Sequence, residues 1–500
     1  MNAPTTVALS LVSHTNVGKT TLARTLLGRD IGEVRDEAHV TEVAEGQLLV
    51  ESIGGDRLML WDTPGFGDSQ RLAKRLAQAG NPMGWFLSEV WDRWRDRPFW
   101  SSQRALRNVL DEADVVLYLV NASEATEDAG YLDAELQVLA LAGKPVVALL
   151  NQLGPAGAVA GAETPLAVRW RQRLQQARGV RAVLALDAFT RCWVQEGRLW
   201  QAVAAELPSD KRPAFERLRA DWRERQLRTW RESMQELAQR LARAALDREV
   251  VVSEGWRGPL RALGTALGMK AGDRESASDR AMATLAERLD ADVRRSTDAL
   301  IRLHGLDGRA GAEVLAKLAL HYAVRTPIDE GRAAMWGGMV TGALAGLKAD
   351  VISGGLTMGG GLLAGGVIGA LTAAGAAHGV NKVRGLDKPV LAWDASVLDA
   401  LVSAALLGYL AVAHHGRGRG AWVAQEPPAG WTDSVRDVLA EHQEAVAEVW
   451  QRRQALLTDA GLSLDAAEAA LLPQLQSLLI ELGAALLARL YPGSEAPPRD

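Results

Sequence analysis

Short apolar runs at 6 to 12, 47 to 53, 57 to 61, 115 to 120, 145 to 150 and 181 to 186 alternate with helix-like stretches at 19 to 29, 68 to 79, 101 to 112, 128 to 142 and 166 to 178. Buried strands separated by amphipathic crossover helices have this rhythm. Residues 1 to 205 therefore predict one α/β domain built on a mostly parallel sheet.

After Leu207-Pro208 the period becomes helical. Leu218, Leu227, Leu237, Leu241 and Leu246 recur amid dense Arg and Glu, which predicts one long amphipathic helix over 213 to 250. A second charged helix is expected over 271 to 303, so that residues 206 to 330 form either a stalk or a bundle.

From Ala333 charge almost vanishes. Residues 333 to 347 are uncharged, Lys348 and Asp350 interrupt, and 351 to 377 again carry no charge, a length that would allow a membrane span. Gly342/Gly346, Gly361/Gly365/Gly369 and Gly375/Gly379 recur at four-residue spacing, which lets helix backbones approach closely. The region 331 to 425 is thus expected to hold a glycine-rich apolar helical hairpin over 333–377, touching a membrane or packed in a soluble core, with a buried helix at 400 to 413. Arg332, Lys348, Lys382, Arg384 and Lys388 flank it too evenly to orient it. Residues 426 to 491 return to helical periodicity, with Leu471, Leu475, Leu478 and Leu482 on one apolar face, and 492 to 500 are expected to be a disordered tail.

Composition narrows the classes. Five hundred residues exceed one ordinary core, so several domains are expected. A net charge of −5, from 56 basic and 61 acidic side chains, argues against nucleic acid as a bulk partner. A single cysteine, Cys192, excludes an internal disulfide and any multi-cysteine metal site, and it suits a reducing compartment. No basic segment followed by an apolar core opens the chain, so the expected location is the cytoplasm, at the cytoplasmic membrane if 333–377 contacts lipid. Sixteen tryptophans stand against five tyrosines and five phenylalanines. Trp85, Trp91, Trp94 and Trp100 alternate with charge, which fits an interfacial helix over 82 to 100 or an insertion packed on its own domain.

The chemistry concentrates where the first apolar run meets the first helix. Ser13-His14-Thr15-Asn16-Val17-Gly18-Lys19-Thr20 joins a strand to a helix start, a place where backbone N–H groups, Lys19 and the Thr20 hydroxyl can surround a polyphosphate. Ser13, Asn16, Val17, Gly18, Lys19, Thr20 and Thr21 are the candidate phosphate-binding residues. A serine at the first position would be strained if it needed positive φ. Asp62-Thr63-Pro64-Gly65 follows the third apolar run: Asp62 can hold Mg²⁺, and Gly65 can present its N–H to a terminal phosphate. Gly65-Phe66-Gly67 leaves the following segment able to move.

Ser13-x4-Gly18-Lys19-Thr20 with Asn16, followed by Asp62-x-x-Gly65, resembles the P-loop GTPases of the Era and TrmE-like class. The resemblance implies a P-loop GTPase fold, GTP/GDP and Mg²⁺ as ligands, and a switch threonine on Mg²⁺ and the terminal phosphate, for which Thr41 is the match. Thr20, Thr41 and Asp62 are then the metal-side residues, and Lys19, Thr41 and Gly65 the catalytic ones. The family's Asn-Lys-x-Asp is matched at Asn151 only: Gln152 replaces the lysine and Gly154 the aspartate that would read guanine. Asp187, in Leu186-Asp187-Ala188-Phe189, stands where the last base-contacting loop would be and could compensate or simply cap a helix.

The layout also resembles a bacterial family in which an Era-like GTPase domain precedes a helical region known as DUF3482. Asp62 to Asp68, Asn151 to Gly154, Leu186 to Arg191 and the glycine-rich run carry that likeness. The helical-region part of that likeness implies no chemistry; the expectation is a GTP-binding switch coupled to a helical region that contacts a membrane through its apolar run, a second copy or another protein. With Phe66 after Gly65, no side chain there can orient water, so slow Mg²⁺-dependent hydrolysis is expected. The alternative is a nucleotide-gated scaffold or tether with negligible hydrolysis.

Overall fold

The computed structural model describes residues 3–28, 44–79, 81–82, 86, 96–153, 164–186, 188, 192–250, 277–306, 390–415, 430–459 and 461–498. Its first half is a six-stranded sheet of β1 (Thr6–Ser13), β2 (Glu45–Glu51), β3 (Arg57–Asp62), β4 (Val115–Asn121), β5 (Val146–Asn151) and β6 (Val180–Ala185) in the order β2-β3-β1-β4-β5-β6. Only β2, at the edge, runs antiparallel to its neighbour.

The inner strands are apolar on both faces, as a sheet covered twice requires. Side-chain alternation assigns the faces. Val7, Leu9, Leu11, Leu117 and Leu149 join one core with α1 (Lys19–Leu27) and α6 (Trp193–Glu206). Val12, Val116, Tyr118, Ala148 and Leu150 join the other with α2 (Ser69–Gln78), α3 (Arg97–Asp111), α4 (Leu132–Ala142) and α5 (Pro165–Gln175).

Helix starts follow their caps rather than the onset of apolar periodicity. The Asp96 carboxylate accepts from Phe99 N and Pro98 sits in the first turn, so α3 begins at Arg97 instead of 101. The Asp68 and Thr164 side chains cap α2 and α5 in the same way.

The long helix α7 (Arg212–Leu246) ends four residues short of the expected 250. Arg248–Val250 instead forms β7, paired antiparallel with β8 (Val390–Ala392), and Arg288 of α8 (Ala277–Leu303) binds Asp247 and Glu249 across that turn. The helices α9 (Ala395–Ala413), α10 (Trp431–Glu441), α11 (Gln443–Thr458) and α12 (Leu464–Leu490) complete a bundle rather than a stalk. Trp230, Met234, Leu237 and Leu241 of α7 belong to the same apolar core as Leu9 of the sheet and Leu479 of α12. Gly483 of α12 lets that helix approach α7, since a Cβ there would lie 3.4 Å from Met234 Sδ.

Among the described helices, α12 alone is long and apolar enough to cross a membrane, and 56% of its apolar window is buried inside this bundle. The glycine-rich hairpin at 333–377, the helix start expected at 271 and the tryptophans 85, 91 and 94 lie outside the described residues. Trp100 lies in α3, with the Arg104 guanidinium over its ring at 5.8 Å. The tail expected to be disordered has a place through Pro498, where Glu495 binds Arg223 of α7 at 2.6 Å.

Candidate functional site

The carboxyl ends of β1, β3 and β5 bring the candidate residues together. Ser13 ends β1 in strand conformation, so the strain expected there is absent; Asn16 takes the left-handed backbone instead, at φ 63°. Asparagine tolerates that region better than most side chains. Gly18 follows at φ 93° and forms the N-cap of α1. A Cβ on Gly18 would lie 2.8 Å from Asn151 Nδ2, so glycine is required there by space as well as by φ. The first turn of α1 has no side-chain cap, and a helix N-terminus favours an anion.

Lys19, only 8% exposed, donates from Nζ to Ser13 Oγ at 3.2 Å. Burial lowers its pKa, against the opposing pull of the Asp62 and Glu135 carboxylates. The Thr20 hydroxyl donates to Asp62 Oδ2 at 2.6 Å, and Thr21 is buried one residue on. Burial raises the Asp62 pKa, opposed by Lys19 and Thr20. Asp62 Oδ1 is buried with no hydrogen-bond partner among the described residues. The Thr20 hydroxyl beside the Asp62 carboxylate, whose Oδ1 is unsatisfied, forms a hard oxygen donor pair suited to Mg²⁺, so the residues present fit that ion. Among the described residues no cluster of three His, Cys, Asp or Glu offers a separate metal site.

Gly65 lies against the phosphate loop. A Cβ there would meet Thr15 Cα at 3.0 Å and Thr15 N at 3.2 Å, backbone atoms that cannot swing aside. The Thr63 hydroxyl fixes the turn by donating to Leu11 O at 2.6 Å. Phe66 is fully buried, and its N–H donates to Ser13 O at 2.9 Å. Ser102 Oγ of α3 accepts from Gly67 N and Asp68 N at 3.1 and 3.0 Å, which fastens the segment after Gly65 to a helix.

Asn151 is wholly buried and joins two loops. Its Nδ2 donates to Val17 O at 2.7 Å, and its Oδ1 accepts from Ala188 N at 2.8 Å. The amide keeps one N–H and one lone pair beyond these bonds. The Thr25 hydroxyl of α1 donates to Ala188 O at 2.9 Å, so α1 and Asn151 hold the same loop. Thr41, Gly154 and Asp187 lie outside the described residues.

The structure adds a group the motifs did not single out. His14 Nδ1, in the phosphate loop, lies 2.7 Å from Glu135 Oε1 in the first turn of α4, and the Tyr118 hydroxyl donates to Glu135 Oε2 at 2.7 Å. The His14 ring stacks on Tyr131 at 4.1 Å. An acid among Leu132, Leu136 and Leu139 is the one sequence signal that could have marked Glu135 as buried.

Residues 8–152 match the family model described as 50S ribosome-binding GTPase, and residues 171–474, more than half of the chain, match the domain of unknown function DUF3482. The second match begins within α5, so β6 and α6 belong both to the sheet domain and to that family's region. No curated protein matches the chain. Among solved structures, it is similar to a variant of Aquifex aeolicus Era bound to GDP and aluminium fluoride (19% identity, 41% of this chain, 58% of that chain, TM-score 0.30). It is also similar to Era in complex with MgGDPNP and a segment of 16S ribosomal RNA (19% identity, 41% of this chain, 58% of that chain, TM-score 0.29). A third is GMPPNP-bound NFeoB from S. thermophilus (16% identity, 44% of this chain, 88% of that chain, TM-score 0.22). The chain thus spans less than two thirds of the length of the Era structures it matches.

Proposed function

The chain belongs to the DUF3482 family, and we propose that its GTPase domain binds GTP with Mg²⁺, hydrolyses it slowly and thereby switches the attached helical bundle. One observation carries the reading: the Thr20 hydroxyl meets Asp62 at 2.6 Å beside the buried Lys19, with Asp62 Oδ1 left unsatisfied. A buried ammonium and a buried carboxylate with a spare oxygen are costly in a protein that binds nothing there.

In this reading Lys19 neutralises the outer phosphates, while Ser13, Asn16, Val17, Gly18 and Thr21 shape the loop and the helix start around them. Thr20 and Asp62, with Thr41, would hold Mg²⁺, which when bound neutralises charge on the polyphosphate. The Gly65 N–H would donate to the terminal phosphate, and charge gathering there in the transition state would be met by Lys19 and that N–H. Asn151, with Asp187, would lie at the base. Phe66 has its side chain in the core and its N–H spent on Ser13, which supports slow turnover. The apolar core shared by the sheet and the bundle supports coupling between them.

Lys19→Ala tests the proposal directly. Mg²⁺-dependent phosphate release from GTP is expected in the parent chain and absent in the variant; equal release in both would refute it.

The burial of Phe66 also favours a second reading, a nucleotide-gated scaffold or tether with negligible hydrolysis. Phosphate release measured with and without liposomes separates the two, because the switch requires turnover and the scaffold requires only binding. Membrane contact through 333–377, self-association or a protein partner through the bundle, and a cytoplasmic location belong to the same proposal. Recovery wholly in the soluble fraction without detergent would argue against membrane contact.

A further inference from the structure

Glu135 is fully buried, yet its carboxylate serves neither Mg²⁺ nor phosphate in the mechanism above. It sits in the first turn of α4, where a helix N-terminus favours negative charge. Its partners are the His14 imidazole and the Tyr118 hydroxyl, both at 2.7 Å. His14 is held in place by the Tyr131 ring, and its side chain is 29% exposed. Among the described residues, the charged or titratable groups facing the pair are Tyr118 on β4, Tyr131 at the start of α4, Glu124, which accepts from the Tyr131 hydroxyl at 3.4 Å, and Lys19 on α1, whose ammonium feels the Glu135 charge. Burial raises the Glu135 pKa, opposed by His14, Tyr118 and Lys19.

We propose that His14 and Glu135 together hold one proton that sets how strongly the phosphate loop binds a nucleoside triphosphate. With that proton the pair is neutral, whichever atom carries it. Without it the pair holds −1, within electrostatic reach of Lys19 and against the loop that must accept several phosphate charges. Triphosphate affinity therefore falls as pH rises and the pair deprotonates. The inference rests on the nucleotide reading of the site and adds a regulator that the phosphate-loop motif does not contain.

Two substitutions at this one contact act in opposite directions. Glu135→Gln keeps an acceptor for Tyr118 and removes the charge, so it should bind triphosphate more tightly than the parent at neutral and higher pH. His14→Gln keeps a donor for Glu135 and removes the imidazole, one of the two groups that can carry the proton, so it should bind more weakly at neutral pH. A pair that merely braced the loop would weaken binding in both.

The test is equilibrium binding of a fluorescent GTP analogue with Mg²⁺ to the full chain, from about pH 5.5 to about pH 9, for the parent and both variants. The nucleotide's own terminal phosphate titrates in the same range and contributes alike to all three. The expected result is a loss of about tenfold in parent affinity beyond the change seen in Glu135→Gln, equivalent to about 1.4 kcal/mol. Parallel pH profiles in all three proteins, or weaker binding in both variants, would overturn the proposal while leaving the nucleotide site intact. If Glu135→Gln does not fold, His14→Gln becomes the reference, and a parent profile parallel to it overturns the proposal. Absence of binding by the parent at every pH would instead overturn the nucleotide reading, and this inference with it.

Discussion

At Gly65 a single missing side chain decides whether a backbone N–H can reach the phosphate loop. Alanine there would put Cβ 3.0 Å from Thr15 Cα, so the strand end must back away. Gly65→Ala should lower the rate of phosphate release by about 100-fold or more, the effect of losing one donor to transition-state charge, and weaken GTP binding much less. Equal losses in binding and rate would show that Gly65 acts only through the fold of the loop.

A second residue-scale prediction concerns His414, buried at the end of α9. Its Nδ1 faces Leu410 O at 2.7 Å and therefore donates, which leaves Nε2 to accept from the Tyr491 hydroxyl. Burial lowers its pKa from 6.5 to about 4. The fold thus prefers the neutral ring; its contribution is complete above the unfolded value and is lost as pH falls from 6.5 toward about 4. That contribution is worth up to about 3 kcal/mol. Denaturant titrations should show a shallower acid limb for His414→Gln, and an unchanged limb would contradict the assignment. At this scale, chemistry written in contiguous residues was legible: Ser13 to Thr20 and Asp62 to Gly65 are local strings. His14 and Glu135 are 121 positions apart, and only the sheet order brings them together.

Between elements, Asp56, in the turn between β2 and β3, is the centre of one polar contact joining the bundle to the sheet. It accepts from Thr5 N at 3.0 Å, Ser52 Oγ at 3.2 Å and Arg217 Nε of α7 at 2.8 Å, while being 2% exposed. The Arg217 contact is the main cause of its lowered pKa. Asp56→Ala leaves the half-buried Thr5 N–H without its acceptor and frees the start of α7, and should cost about 1–3 kcal/mol in urea denaturation. A stability equal to the parent's would show that apolar packing alone holds the helix. The inner strands were legible because a doubly covered sheet needs continuous apolar runs. Helix limits were less so, since Asp96 and Pro98 begin α3 before its apolar period does, and β7 cuts off α7 by pairing with a strand some 140 residues later. The choice between stalk and bundle was not legible at all: the leucines of α7 state that one face is covered, and not by what.

Over the whole molecule, the apolar core runs without a break from Leu9 in the sheet through Trp193 and Trp230 to Leu479. Trp193, which opens α6 just after the loop held by Asn151, donates to the Tyr409 hydroxyl of α9 at 3.4 Å. A ligand seated among β1, β3 and β5 therefore stabilises the helices as well as the sheet. Heating should give one cooperative transition, shifted upward by saturating GTP by about 2.7 kcal/mol at 100 times Kd. Two transitions, of which only one responds to GTP, would show that the bundle is energetically separate and cannot be switched. The central claim is that the loop from Ser13 to Thr20, with Asp62, binds guanine nucleotide. Calorimetric titration of the full chain with GTP, GDP and ATP in the presence of Mg²⁺ tests it most directly. The account predicts saturable binding of GTP and GDP that is lost in Lys19→Ala and weaker binding of ATP. No binding of any nucleotide, or equal affinity for ATP and GTP, would contradict it.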